Sequence, residues 1–498
     1  MPMNKEQEKT LYPLVSHGGR QINSVELSNL MYAVMDLKPH KHMDYSYDDI
    51  GTAQLIADLL ENKIKYCSNY RAWYIWDETR WKRQSDDGII SDKVQSILNI
   101  LKLYCDEWEA QGKGEEVADY KKYISSIRKN IAMKNIIEVL KTMVRVSPNE
   151  FDKDPYILNT PVSAFDLRTG KKVERNLNNA ITMVTATNLV SLNKPCERWY
   201  TFIDEIMSHD KEKAAFLQRA LGYSLLGTNR EECMFVAYGA STRNGKGTLF
   251  YAIEKAVGGD YYGTASPDLI CELGNGKKVD FNSPQPAVAK LVGKRFCVMS
   301  EADRDHRVDT AIVKYYTGRD TVTTRGLYEN PFEFIPQFTM WLETNYLPCV
   351  TDDTIFRSDR VWVISFDESF TRENRDLDLK EWFAAPENRP TILKWLYDGC
   401  MDYMKNGLQV PECVRKQTLD YQKKHDRIGA FIEKTCEVKP DGLVLRGTLY
   451  SKYRTWCSDI ENRYKPMGST SFYQELELRG YSAFRKSDGF YIMGLEPM

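Results

Sequence analysis

Residues 231–250 read EECMFVAYGASTRNGKGTLF, a short apolar run that breaks into a Gly-flanked polar loop and then resumes as apolar-periodic sequence. Residues 233–238 have the length and the branched and aromatic content of a buried strand. Leu249, Phe250, Ile253, Ala256 and Val257 recur at helical spacing. Strand, glycine loop and helix come in the order that a phosphate site needs. Backbone N–H groups of such a loop and the orphan donors of a helix N-terminus converge on an anion, and Lys246 adds a point charge for the β and γ phosphates. The stretch reads as a nucleotide-binding P-loop for ATP with Mg2+. Its ligand-facing positions are Gly239, Arg243, Asn244, Gly245, Lys246, Gly247, Thr248 and Leu249.

The loop departs from the usual P-loop in two places. Residues 240–244 put five positions between Gly239 and Gly245, where four are usual. Gly247, not Ser or Thr, follows Lys246, so the hydroxyl that normally ligates Mg2+ comes from Thr248 or is replaced by water. A glycine loop alone is a weak signal. The rest of the chain has to supply the other parts of an ATP site.

At 498 residues the chain exceeds what one core serves, so about two to four domains are expected. A net charge of −2 from well-mixed charges confines any nucleic-acid surface to a local patch. No run approaches the roughly eighteen apolar residues of a membrane span, and MPMNKEQEKTLYPL lacks an apolar signal core, so a cytoplasmic protein without a membrane partner is expected. The eleven cysteines are scattered singly without a C-x-x-C pair, which reads as buried thiols and not as a zinc site.

Along the chain, residues 1–45 read as a polar, irregular tail or arm. DDIGTAQLIADLLENKIKY reads as a helix capped by Asp48 or Asp49, the aromatics around 77–79 as a hairpin, and Thr169-Gly170 as a turn. Helices ending at Gly227 lead into the P-loop strand, and 258–284 read as an irregular insertion. ATP hydrolysis also needs an acid at the tip of a neighbouring strand. LVGKRFCVMSEADRD offers a buried strand, Phe296–Ser300, ending in Glu301 and Asp303. FEFIPQFTMWLETNYLP gives a third strand, 338–342, that runs out at Thr344 and Asn345, where an amide orients water beside a γ-phosphate. DDTIFRSDRVWVISF sets Arg357 and Arg360 before a fourth strand. An Arg there reaches a neighbouring subunit's ATP as a finger, or else serves as a surface ion pair.

The succession of NGKGT, GKRFCVMSEAD, YYTGRDTVTTRGLYENPFEF and TNYLP, then Asp, Arg and a strand closing at Phe366, resembles the superfamily 3 helicases. More closely, it resembles the phage, plasmid and poxvirus type of primase-helicase. Upstream, YDDIGTAQLIADLL, WYIWDETRW, FDLRTG and FLQRALGYSLLGTN are similar to that family's segment before the ATPase. Downstream, DRIGAFIEKTCEV, LRGTLYSKYRTWC and FYQELELRGY resemble its terminal winged-helix segment. The resemblance implies a multidomain α/β protein, with an AAA+ P-loop ATPase core between a mostly helical domain and a winged-helix-like domain. The divisions would be a tail at 1–45, an N-terminal domain at 46–195, a helical collar at 196–228, the ATPase at 229–424 and the DNA-binding domain at 425–498.

Residue by residue, the resemblance makes Lys246 the phosphate ligand, Glu301 the Walker B acid with Asp303 beside it, Asn345 the sensor and Arg360 the finger. Asp359 stands where the first arginine of the family's pair is expected, which leaves Arg357 a rival. Mg2+ would be held by Thr248 and Glu301. Residues 317–334 would form a hairpin entering a central channel, with Arg325 and Tyr328 near its tip, and Lys452, Arg454, Arg485 and Lys486 would contact DNA. The implied protein is a homo-hexameric replicative helicase of a phage or other mobile element in a bacterial host cell. It would move 3′ to 5′ on single-stranded DNA, engage duplex origin DNA through its C-terminal domain, and work beside a separate primase or polymerase.

Primer synthesis needs clustered metal-binding carboxylates, and residues 1–230 hold none at convincing spacing. Asp376 and Asp378 form a D-x-D that reads as a solvated loop, so primase activity is not expected. A second reading is an ATP-regulated origin-binding or helicase-loading protein, drawing on Arg446, Lys452, Arg454, Arg479, Arg485 and Lys486 among aromatics. A P-loop kinase of small molecules fits the loop but leaves Asn345 and Arg360 without a task.

Overall fold

The computed structural model describes residues 24–190, 196–272, 284–301, 306–326, 331–350, 354–371, 373, 375–459 and 466–498. The first elements are helices α1 (Ser24–Leu37) and α2 (Asp49–Leu59), strands β1 (Ile64–Cys67), β2 (Ala72–Trp76) and β3 (Trp81–Gln84), helices α3 (Gly88–Ala110), α4 (Gly114–Ile127) and α5 (Asn130–Met143), and strand β4 (Arg145–Val146). The expected tail is overturned for the described part of 1–45. Leu30, Val34 and Leu37 repeat at helical spacing, and Val34 is fully buried in one core with Tyr45, Ile56, Leu101 and Tyr104. Asp48, not Asp49, caps α2 by accepting the Gly51 N–H at 2.8 Å. The Asp77 carboxylate accepts from the N–H groups of Thr79 and Arg80 and closes the β2–β3 hairpin.

A small antiparallel sheet follows, of β5 (Ile157–Asn159), β6 (Ala164–Asp166) and β7 (Lys171–Val173), with Gly170 in the left-handed region at the expected turn. Helices α6 (Glu197–Ile206) and α7 (Lys211–Tyr223) lead to β8 (Met234–Tyr238), α8 (Lys246–Val257) and β9 (Tyr262–Ala265). Next come α9 (Pro286–Ala289), β10 (Phe296–Ser300), β11 (Arg307–Val308), α10 (Thr310–Thr317), β12 (Val322–Thr324), β13 (Phe332–Phe334), β14 (Thr339–Thr344), β15 (Cys349–Val350), α11 (Thr354–Arg357) and β16 (Val361–Ser365).

Five of these strands make a parallel sheet in the order β16-β8-β14-β10-β9. Apart from the edge strand β9, its strands are largely apolar runs because both faces are covered. Phe235, Val298, Trp341 and Ile364 face α6, α7, α8 and the later helix α13 (Arg389–Asn406). Val236, Cys297, Leu342 and Val363 face the side of α10. The expected strand over 338–342 starts one residue later and runs on through Thr344, which is buried. The expected irregular insertion is corrected too, since Tyr262–Ala265 pairs with β10 as the edge strand. Four residues reading YGTA are too short and too weakly apolar to announce a strand.

Two close approaches fix how parts of the molecule sit. On α7 a Cβ at Gly222 would stand 2.2 Å from the Cys400 N, and one at Gly399 on α13 would stand 2.2 Å from the Gln218 O, so the two helices meet backbone to backbone. At the base of the sheet, Arg295 is 1% exposed. Its guanidinium fills the place a Gly227 side chain would take, among Tyr261, Asp152 and Asp154. Around it the Gly227 N–H donates to the Pro155 carbonyl at 2.8 Å, and the Asn159 N–H donates to the Tyr261 hydroxyl at 2.9 Å.

After β16 come α12 (Leu379–Ala384), α13, α14 (Glu412–His425) and α15 (Arg427–Thr435). The chain then forms β17 (Cys436–Leu445), α16 (Arg446–Asp459), α17 (Ser469–Leu478), β18 (Ala483–Lys486) and β19 (Gly489–Pro497). The last three strands pair in the order β17-β19-β18 over a core of their own that includes Phe431, Leu449, Tyr453, Phe472 and Ile492. Glu475 on α17 reaches back to Arg357 at 2.8 Å.

Candidate nucleotide site

The parallel strands end together, and the glycine loop lies where ligands of open α/β sheets bind, beyond their carboxyl ends. After β8 the chain turns through Asn244 and Gly245 into α8. Gly245 takes φ +87°, a conformation that L side chains rarely adopt, and a Cβ there would run into Ile206 of α6. Arg243 also has positive φ, and its carbonyl accepts from the Phe370 N–H at 2.9 Å, which pins the loop to the segment after β16. Lys246 is the first residue of α8 and is buried. Its ammonium donates to the Asn244 Oδ1 at 3.0 Å and to the Asn345 Oδ1 at 2.9 Å. Two positions picked separately from the sequence, Lys246 and Asn345, are thus hydrogen-bonded partners.

A cleft of about 810 Å3 opens here, large enough for a nucleoside triphosphate. Its cationic lining is Arg198, Arg243, Lys246, Arg375 and Lys380, and Phe202, Phe370, Leu377 and Leu379 provide apolar surface. Glu301 lines it from the end of β10, in the left-handed region at φ +65°, with its N–H donating to the Glu343 carbonyl at 3.1 Å. Backbone held this way at a strand tip is the kind of strain that functional sites retain. Thr248, Gly247 and Asn244 complete the loop's share of the lining, whereas Leu249 turns into the core and Gly239 lies against Asn244 and the Phe366 carbonyl.

Sequence reasoning passed over Glu343. Its carboxylate accepts from the Ser300 hydroxyl at 3.2 Å, and burial pushes its pKa up against the opposing pull of Lys246 and Lys380. Burial likewise lowers the Lys246 ammonium to about 8, with the Glu343 charge working the other way. Glu343 lies near the end of β14, two residues before Asn345, and both line the cleft where the strand runs out. The D-x-D lies as expected in an exposed loop, between β16 and α12, and its first acid has a further contact. Asp376 lines the cleft and is ion-paired with Arg198, whose guanidinium lies over the Trp382 ring. Arg198, Arg375 and Lys380 carried no local signal, since only the fold brings α6 and the residues beyond the sheet to the glycine loop.

Neither candidate finger lines this cleft. Arg360 precedes β16 at the opposite end of the sheet, bonded to Glu232 at 2.7 Å and to the Thr317 hydroxyl at 2.8 Å, while Arg357 is held by Glu475. Asp303 and Tyr328 lie outside the described residues. Within 317–334, β12 and β13 form the expected hairpin, with Val322 opposite Phe334, and Arg325 follows β12 half-buried, its carbonyl accepting from the Gln285 N–H. In the C-terminal part, Lys452 is tied to the Met498 carbonyl and Arg454 is exposed on α16. Arg485 and Lys486 lie exposed on β18 beside Phe490, Phe484 and Tyr491. Arg479 is consumed by a two-bond pair with Asp426.

The residues fit a bound nucleotide and its metal. The loop presents N–H groups and an ammonium to an anion, and two carboxylates stand at adjacent strand tips. Comparison with known proteins points the same way. The D5 N terminal like family matches residues 53–208, and the Poxvirus D5 protein-like family matches residues 423–488. Two stretches of the chain are thus similar to D5-type proteins. Among curated relatives, a protein of Acanthamoeba polyphaga mimivirus that carries a helicase name is 25% identical over 80% of this chain and 45% of its own length. Another of Frog virus 3 is 25% identical over 53% of this chain and 28% of its own. A third, of the Sputnik virophage, is 24% identical over 52% and 35%. The chain spans about half or less of the length of these relatives. Their sources are viruses of eukaryotes and a virophage, and so give the expected bacterial host no support. Among solved structures, the NrS-1 C terminal region shares the fold, with a TM-score of 0.50 at 12% identity over 90% of this chain and 99% of that one. Among the described residues, no helix is long and apolar enough to cross a membrane.

Proposed function

We propose that the protein is an ATP-dependent DNA helicase of a virus-like or other mobile replicon, built on an AAA+ core of the superfamily 3 type. The observation that carries this reading is the Lys246–Asn345 hydrogen bond at 2.9 Å beside Glu301. A phosphate ligand, a water-orienting amide and an acid stand together just beyond the ends of β8, β14 and β10, which are neighbours in one parallel sheet. A small-molecule kinase does not require that sensor arrangement. In this reading Lys246 and the loop N–H groups hold the β and γ phosphates, Asn345 orients the attacking water, and Glu301 supports the metal, which polarises the phosphates when bound. Arg360, or its rival Arg357, serves a neighbouring subunit's site from the far end of the sheet.

Assembly as a homo-hexameric ring follows from that division of labour. The β12–β13 hairpin, with Arg325 beside it, would track single-stranded DNA by its backbone, 3′ to 5′, and primer synthesis would fall to a separate protein. The succession of α15, β17, α16, α17, β18 and β19 agrees with a winged helix in order and in strand pairing. Its exposed Arg485 and Lys486 favour contact through the β18–β19 hairpin. By contrast, α17 carries Glu475 and Glu477 and no basic residue, which weakens the alternative of an origin-binding protein that reads duplex with that helix.

The test is unwinding of a forked duplex by the full chain, by Lys246→Ala and by a chain without 425–498. Strand displacement that needs ATP and Lys246 is expected. Displacement by Lys246→Ala at the wild-type rate would refute the reading. Mass photometry with ATP and an oligonucleotide should reveal a six-subunit species, and a strict monomer would remove the ring.

A further inference from the structure

We propose that the carboxylate of Glu343 takes the Mg2+-ligand position that a Ser or Thr after the P-loop lysine supplies in other P-loops. The inference rests on the nucleotide-site reading above and concerns the one place where this loop is chemically deficient. Gly247 occupies the position of that hydroxyl, and nothing in its backbone calls for glycine. Gly245 has positive φ, but Gly247 lies within α8, where glycine is a poor helix former by roughly 1 kcal/mol relative to alanine.

What faces Gly247 explains the choice better. A Cβ built there would meet Glu343 Oε1 at 3.4 Å and Lys380 Nζ at 4.0 Å, with nothing closer. The direction in which a Ser or Thr would project is thus the direction from which a carboxylate already arrives. Thr248, one residue on, points about 100° further round the helix. Glu343 is also placed to act with Glu301. Their residues sit at the ends of adjacent strands, the Glu301 N–H donates to the Glu343 carbonyl at 3.1 Å, and the Ser300 hydroxyl orients the Glu343 carboxylate from the other side. A nucleotide-bound Mg2+ takes one or two carboxylates plus phosphate oxygens and water, so the pair suffices without a hydroxyl.

The experiment uses the full chain, ADP, and Mn2+ as the probe read by electron paramagnetic resonance. Glu343→Gln is expected to weaken Mn2+ binding to the protein–ADP complex on the order of tenfold to a hundredfold, while metal-free ADP binding, which also reports a folded site, stays at the wild-type level. Adding Gly247→Ser to Glu343→Gln should restore most of the lost metal affinity, because the hydroxyl then stands where it does in other P-loops. Wild-type Mn2+ affinity in Glu343→Gln overturns the assignment, all the more if Thr248→Ala loses it. A loss that Gly247→Ser does not recover overturns the exchange of carboxylate for hydroxyl. If the unmodified protein binds no ADP with or without Mn2+, the nucleotide-site reading itself fails, a result distinct from either of these.

Discussion

At the scale of single residues, Lys246 is the position on which most depends. Charge-assisted hydrogen bonds contribute about 1.5–3 kcal/mol, and about 1.4 kcal/mol is tenfold in affinity, so Lys246→Ala should weaken ADP binding roughly ten- to a hundredfold with an unchanged circular dichroism spectrum. An unaltered affinity in a fluorescent-ADP titration would rule out the phosphate role. His40 makes a different prediction. Its ring is bonded to the Tyr104 hydroxyl and packed edge-on against Trp108, and burial, helped by Lys41, holds its pKa below 6.5. Below pH 6.5 the unfolded chain therefore takes up this proton more readily than the folded one. The stabilisation is complete above pH 6.5 and is lost as the pH falls through and below that value. Between about pH 7 and pH 5, thermal unfolding of His40→Gln should show a shallower fall in midpoint than the native chain, and parallel curves would remove the effect. Lys246, Glu301 and Asn345 were legible because motif and strand-tip position mark each one locally. Glu343 was within reach of the same reasoning, as an acid near the end of the strand that runs out at Asn345. Arg198 and Lys380 were not, since no spacing in sequence relates them to the loop.

At the scale of elements, legibility followed length and apolar continuity. Strands β8, β10 and β16 are unbroken apolar runs buried on both faces, and sequence placed them within a residue or so. Strand β9 was missed because YGTA has too few apolar side chains, and α1 because its apolar-periodic SVELSNLMYAVMDL was read together with the polar residues before it. No sequence rule reveals that α7 and α13 touch backbone to backbone. That contact yields a sharp expectation. Gly222→Ala or Gly399→Ala puts a methyl where backbone already stands 2.2 Å away, and each should cost about 3 kcal/mol or more. Denaturant unfolding monitored by the buried Trp395 and Trp199 measures it. A loss under about 1 kcal/mol would mean that the helices can separate freely.

At the scale of the whole molecule, the C-terminal part has its own core, and Glu475 ties it to the nucleotide-binding part through Arg357, with both side chains partly exposed. A pair so exposed contributes about 1 kcal/mol or less, so Glu475→Ala should leave global stability nearly unchanged while speeding proteolysis near residue 425. Cleavage at the wild-type rate would show that other contacts hold that part in place. The base of the sheet behaves differently. Arg295 is buried to 1% exposure, its guanidinium standing where a Gly227 Cβ would stand, and it is faced by acids from the stretch before the small antiparallel sheet, so that stretch and the parallel sheet share one set of charges. In terms of descent, the D5-like N-terminal stretch is not freely exchangeable. A chimera that takes residues 53–208 from a relative will fold only if its partners to Arg295 and Gly227 travel with it, and lineages that recombine at this junction must do so outside that set.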